Sequence, residues 1–539
     1  MVLIAPTAPS AEAKSDCRVQ NATAEKRYRT LDAAVGASRN GDTLVVRGTC
    51  RGGLVIKRNI TIKAHSRKGS KRSTIHGLGL GSALLIDEGR SVRLVGLAIR
   101  GDPDLMLEHS GGGVFVSRAK VTMKDVTISG FSTQGDGGAI YSLNGDVRIA
   151  GGSRIRANRA DEGGGIAIVS GTLTLDGRAA VEGNTAAWGG GIANRGSVTL
   201  GGQSRVRKNQ ASWGGGIASY ENSQVLLHSR SAIVANLATD SGGGLHNHGG
   251  VIILNGSSSV RGNHTDGSGG GILSMRGTVT LNGRGSIAGN TAVGPGGGVH
   301  SSLGAAAVVL NDLSTVIGNA SADAGGGVHS KGSLAFMEEV SVSGNEALQG
   351  GGVMRTGGHV GGITCGPGPG ANVHGNRPDD CSGIEPDQRV TLAEHGYSML
   401  LPMGWRHGTV EAVAGSVPGG SEPRLPASDV GMELEIRSAP PGRIRCHIWR
   451  APSNEQGLDS FLREWSGAPG YFTRADLKSG RAARYDHRVR DGSESPPSVT
   501  YIVEGSQGLA QITCSGVPVP RDRWQSIADG FQFLDDRDG

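Results

Sequence analysis

Long apolar runs are missing from this chain, and none approaches the roughly 20 residues that a membrane-spanning helix requires. Concentrated basic runs are missing too. The net charge is only +6 and Lys and Arg are scattered, whereas nucleic-acid binding usually needs a basic face. There is no Cys-x-x-Cys spacing, which argues against a zinc or redox site. Gly-x-Ser-x-Gly, a phosphate loop and His-Glu-x-x-His are all absent, so serine hydrolase, nucleotide and zinc-protease readings lack support. Aromatic residues are scarce, at 4%.

Glycine is abundant instead, at 93 of 539 residues. It has no three-residue period, which excludes collagen, and its tie to a longer period argues against disorder. The recurring phrase is glycines followed by an aliphatic residue, first as Gly111-Gly112-Gly113-Val114. The aliphatic markers are Val114, Ile140, Ile166, Ile192, Ile217, Leu245, Ile272, Val299, Val328 and Val353. They are spaced by 26, 26, 26, 25, 28, 27, 27, 29 and 25 residues. A second phrase keeps time with it: an aliphatic residue and, three positions on, Asn. It runs from Ile155/Asn158 and Val181/Asn184 to Val342/Asn345 and Val373/Asn376. A period in this range means a solenoid.

Within a repeat, three short apolar runs are separated by Gly/Asn turns, as in Ile192–Asn194, Val198–Leu200 and Arg205–Arg207. Three alternating strands per turn describe a parallel β-helix, in which equivalent positions stack at about 4.8 Å. Two positions past the marker stand Ser142, Asn194, Ser219, Asn247, Ser274, Ser301 and Ser330, with Ile168 interrupting. Their parity with the marker predicts an inward hydrogen-bonded stack. One position past it, on outward parity, stand Tyr141, Ala167, Ala193, Ala218, His246, Leu273, His300, His329 and Met354. The expectation there is a solvated His300/His329 pair, and a shallow strip over the alanines.

The chain is too long for one compact core. Met1 to Ala13 contains a short apolar run and ends in Ala11-Glu12-Ala13, a small-x-small pattern. It reads as the remnant of a signal peptide. Residues 14–50 form a cap, with Thr30 as N-cap of a short helix. The β-helix spans 42–376, residues 377–390 are a turn-rich linker, and 391–539 have the ordinary composition of an α+β domain. Its strands are expected at Tyr397–Pro402, Met432–Ile436, Ile444–Ile448, Val499–Val503 and Ala510–Cys514, and helices at Leu458–Trp465 and Trp524–Phe531. Six cysteines fall into three local pairs, Cys17/Cys50, Cys365/Cys381 and Cys446/Cys514. That pattern suits disulfides and an oxidising compartment.

The paired Gly-Gly-x-aliphatic and aliphatic-x-x-Asn phrases resemble the repeats of bacterial polymorphic outer-membrane proteins. The architecture is similar to right-handed parallel β-helix proteins of the pectate-lyase-like superfamily, over roughly residues 42–376. Val or Ile stands where the outer-membrane repeats favour Phe. No segment here reads as their C-terminal membrane barrel, so export by such a barrel is not implied. The Tyr397–Trp405 stretch and Trp524–Phe531 resemble the PsbP-like fold. The fold class is therefore mainly β, a right-handed parallel β-helix solenoid followed by a smaller α+β domain.

Stacking turns the repeat into a surface map. Four positions before the marker stand Asp136, Glu162, Trp188 and Trp213, with Asp161 beside Glu162. Carboxylates would border two indoles within about 15 Å. Aromatic faces with a few polar groups hold sugars, and clustered carboxylates bind calcium. Two carboxyls could also act as glycosidase acid and base at separations of about 5 or about 6.5–9.5 Å. The resemblance to calcium-dependent pectate lyases implies a basic proton abstractor, and Arg195 is the nearest candidate. Equally, acids and Trp can simply cover a turn, and Asp240, Asp266 and Asp323 occupy similar turns without Trp. The reading that follows is a secreted or cell-surface, adhesin-like monomer binding a polysaccharide or surface glycan, with a protein partner as another option. A polysaccharide lyase or glycoside hydrolase and a structural spacer are the alternatives.

Overall fold

The computed structural model describes residues 16–65, 73–77, 81–302, 306–337, 339–357, 360–366 and 371–383, and the strands between 388 and 533. The chain divides into two compact units, Met1–Ile384 and Glu385–Gly539.

The first unit is a parallel β-solenoid built on three long sheets of fifteen, thirteen and thirteen strands. One coil shows the logic. The marker strand Ile192–Asn194 is followed by Ser197–Leu200 and then Arg205–Arg207. Each strand joins a different sheet and pairs with its counterparts one coil before and after. Alternation along each strand buries Ile192, Val198, Leu200 and Val206 completely. The markers stack in unbroken register from Val114 to Val353, so the core is a continuous aliphatic column rather than one globule.

The turn into each marker requires glycine for steric reasons. Gly163 has φ +61°, and a Cβ there would strike the Ile166 carbonyl. A Cβ on Gly164 would strike the carbonyls of Thr185 and, at 2.6 Å, Gly190 on the next coil. The Asn residues close the same corner. In each step from Asn158 to Asn376, one Nδ2 donates to the Oδ1 of the next Asn at 2.9–3.0 Å. The backbone N–H of each also donates to that same Oδ1. Phe131 N–H feeds the first Oδ1 at 3.1 Å, and Asp380 Oδ1 receives the last Asn376 Nδ2 at 3.0 Å. The ladder is thus satisfied at both ends.

At the N-terminus the helix Leu31–Gly36 buries Leu31, Ala34 and Val35, and Thr30 Oγ1 accepts from Ala33 N–H as its cap. The antiparallel strand Arg18–Asn21 covers the open sheet beside Thr43–Arg47, and the three-residue strand Lys26–Tyr28 pairs on its far side, so the sheet ends in a very short edge strand. The Cys17–Cys50 and Cys365–Cys381 disulfides are both formed. Past Asn376 the coil continues into the segment expected as a linker, where Cys381 pairs with Val353.

In the second unit, seven antiparallel strands form one sheet, among them Gly431–Ser438, Gly442–Arg450, Ser498–Gly505 and Gly508–Gly516. Cys446 and Cys514 are directly opposite on neighbouring strands; their side chains lie outside the described residues. The helix expected at Leu458–Trp465 also lies outside them. Phe531, placed at the end of the other expected helix, instead opens the strand Phe531–Phe533, as its Phe-x-Phe alternation favours.

Candidate functional site

The corner before the marker brings the expected residues together. Glu162, Trp188 and Trp213 bridge one another in parallel on successive coils. Gly137 N–H donates to the Glu162 carbonyl and thereby places Asp136 one coil earlier in the same column. Trp188 and Trp213 stack with ring centroids 5.3 Å apart and planes 11° apart. His246 is equidistant from both, at 5.7 and 5.4 Å, with its plane turned 71° and 72° from theirs. Those near-perpendicular contacts are the T-shaped kind that aromatic quadrupoles favour.

The outward column is covered where sequence parity left it open. Ala167, Ala193 and Ala218 are essentially inaccessible, and His246, Leu273, His300 and His329 are all buried. Trp188 reaches within 6.4 Å of Tyr220 and 5.7 Å of His246, which follows Ala193 and Ala218 in the column. No open alanine strip remains. His300 and His329 are likewise not a solvated pair. Their rings lie 4.8 Å apart and their Nδ1 atoms share a hydrogen bond at 2.9 Å. Burial pushes His300 down to about 3 and His246 to about 4, so both are neutral at pH 7. Leu273 separates the two sets along the column.

Electrostatics sort the three acids. Glu162 is ion-paired with Arg195 at 2.6 Å, and the Arg195 guanidinium lies 4.1 Å over the Tyr220 ring. Arg195, the nearest basic residue for the proton-abstractor role that the pectate-lyase resemblance implies, is thus committed to a carboxylate and a ring face. Asp136 is half-buried without an ion-pair partner among the described residues. Burial, then the Glu162 charge, raises its carboxyl above the usual range, with Arg195 opposing. Asp161 is exposed and adds to the same field. Among the described residues, no three His, Cys, Asp or Glu side chains are placed to hold a metal ion.

Sequence reasoning missed Tyr220 and the pairing of Tyr141 with Phe115. Tyr220 stands three positions past its marker, one coil after Arg195 in the same outward column. That alignment signals a cation-on-ring contact. Phe115 and Tyr141 are register partners with rings 5.0 Å apart. Burial and the nearby Asp136 charge raise the Tyr141 phenol, and burial with the Glu162 charge raises Tyr220 further. Asp266, one of the turn acids without Trp, pairs with His264 at 3.3 Å. The site is therefore a strip on one edge of the marker sheet: Phe115 and Tyr141, then Asp136, Glu162 and Arg195, then Tyr220 and the indole pair. Comparison with protein-family models, curated proteins and solved structures finds no match to this chain.

Proposed function

We propose that the protein is secreted or held at the cell surface and binds an extended glycan along this strip. The observation that carries the reading is the half-exposed run of aromatic rings from Tyr141 to Trp213 with the unpaired Asp136 carboxylate beside it. Sugars present alternating apolar and hydroxylated surfaces, so rims of aromatic rings with a few fixed polar groups match them chemically. Two disulfides support an oxidising compartment, and no helix is long and apolar enough to cross a membrane. A rigid solenoid also presents its binding groups at a constant repeat, as a repeating polymer requires.

The test is retention on a polysaccharide panel, with and without calcium, with soluble products assayed in the same samples. Trp188→Ala combined with Trp213→Ala should abolish retention of whichever polymer binds; unchanged retention refutes the strip. A second reading, hydrolysis or lyase chemistry at Asp136 with Glu162, draws on the raised Asp136 carboxyl beside a second, ion-paired acid. Cleavage products that persist undiminished in Asp136→Asn would remove it.

A further inference from the structure

Resting on the glycan reading above, we propose that the strip selects a glycan carrying free amines, and that the ligand's ammonium sits between Asp136 and the Tyr141 ring. The chain itself shows the chemistry one step along. Glu162 and the face of Tyr220 together hold a cation, and that cation is the chain's own Arg195. One coil earlier, Asp136 and Tyr141 flank the same marker, the Asp136 charge acts on the Tyr141 phenol, and the Tyr141 ring packs 5.0 Å from Phe115. No internal cation is committed there, since Asp136 has no ion pair among the described residues.

The surrounding charge favours the same ligand. Asp136, Asp161 and Glu162 contribute three negative charges and Arg195 one positive charge, so the strip carries a net negative field. A polyuronate would be repelled there. An ammonium gains both the carboxylate and the negative face of a phenol ring. An independent observation also points to a ligand. His246 is only 4% exposed, lies against both indoles, and leaves Nε2 without a hydrogen-bond partner. Buried polar groups are nearly always paired, so this open one behind the indole pair suits a hydroxylated molecule that supplies the partner.

The experiment is calorimetric titration of the full chain with glucosamine oligomers, with the same oligomers fully N-acetylated, and with oligogalacturonate. Wild type, Asp136→Asn and the exposed control Asp240→Asn are compared. Wild type should prefer the amine form by about tenfold or more, the scale of one hydrogen bond to a charged group. Asp136→Asn should bring the two forms near parity, and Asp240→Asn should alter neither. The preference should also shrink as salt is raised from low to physiological ionic strength, a readout that needs no substitution. Equal affinity for both forms in wild type, or tighter binding of oligogalacturonate, overturns the amine assignment and leaves the glycan reading standing. Absence of binding to every oligomer, together with failure of the polysaccharide panel, overturns both.

Discussion

The Asn column makes a sharp energetic prediction at Asn236, which is 1% exposed. Its Oδ1 accepts from Asn209 N–H and Asn209 Nδ2, each at 3.0 Å. Its Nδ2 donates to Val206 O at 3.1 Å and to Asn263 Oδ1 at 2.9 Å. Asn236→Ala removes all four bonds, but the damage is uneven. Asn209 Nδ2 keeps Val181 O, and Asn263 Oδ1 keeps the backbone N–H of residue 236. Asn209 N–H loses its Asn partner inside the corner. One stranded buried donor costs about 1–3 kcal/mol, and each further lost bond about 0.5–1.5 kcal/mol. The expected loss is therefore about 5 kcal/mol. Asn282→Ala is the control: Asn282 also sits in an Asn-to-Asn ladder, at 2.7 Å, but on a turn that water reaches. It should cost less than about 1 kcal/mol. Denaturant unfolding gives the two magnitudes, and amide exchange gives their location. Because solenoid coils contact only their neighbours, lost protection in Asn236→Ala should centre on the coils between Asn209 and Asn263. Equal costs for the two variants, or protection lost evenly as far as the N-terminal helix, would refute the reasoning.

Three further outcomes follow from buried polar groups and the cap. His246 and His300 have folded values of about 4 and about 3, below the ordinary histidine value of 6.5. The folded state therefore binds fewer protons than the unfolded one, so the stability is complete above pH 6.5 and falls as pH drops toward 4; a midpoint of urea unfolding that does not move between pH 7 and 4.5 contradicts this. Ser142 is fully buried with no partner for Oγ, because Ile168 occupies the next rung of its column. Ser142→Ala should therefore be neutral or stabilising by up to about 1 kcal/mol, whereas a loss larger than that shows a partner has been missed. Replacing Cys17 and Cys50 by Ser opens a loop of 33 residues and should cost about 3–4 kcal/mol. Exchange should rise around the helix Leu31–Gly36 while the coils beyond Val114 stay protected; melting of the whole solenoid would show that the cap is needed for more than the end.

The coil register was legible because it is one dimensional. Marker spacing, the Asn phrase and the glycine triplet each report the same period, and all three pair as aligned. The inward placing of the Ser/Asn column followed from parity, but it bonds only in part: Asn194 and Asn247 donate to Ser219 and Ser274 on the following coils, while Ser142 and Ser301 find no partner. Repeats could not reveal the end of the solenoid. Asp380 replaces Asn in the last rung, and Cys381 replaces an aliphatic marker. Both substitutions fall on the last described rungs of the solenoid.

Parity also explains what was misread at the site. It assigns a side chain to the outer face of a sheet, but says nothing of what lies across that face. Here Trp188 and Trp213, in the neighbouring column, pack against His246 of the outward column. The signal was in the two columns read jointly: large rings at the corner beside a run of small residues. The same joint reading separates the acids. Glu162 shares its coil environment with Arg195 and is paired, whereas Val169 and Leu143 stand where an equivalent basic residue would have to be for Asp136. An acid column followed by only one basic residue in the facing column leaves one carboxylate free. That unpaired carboxylate, held beside Tyr141 by a scaffold with no freedom to collapse around it, is what a cationic ligand would meet.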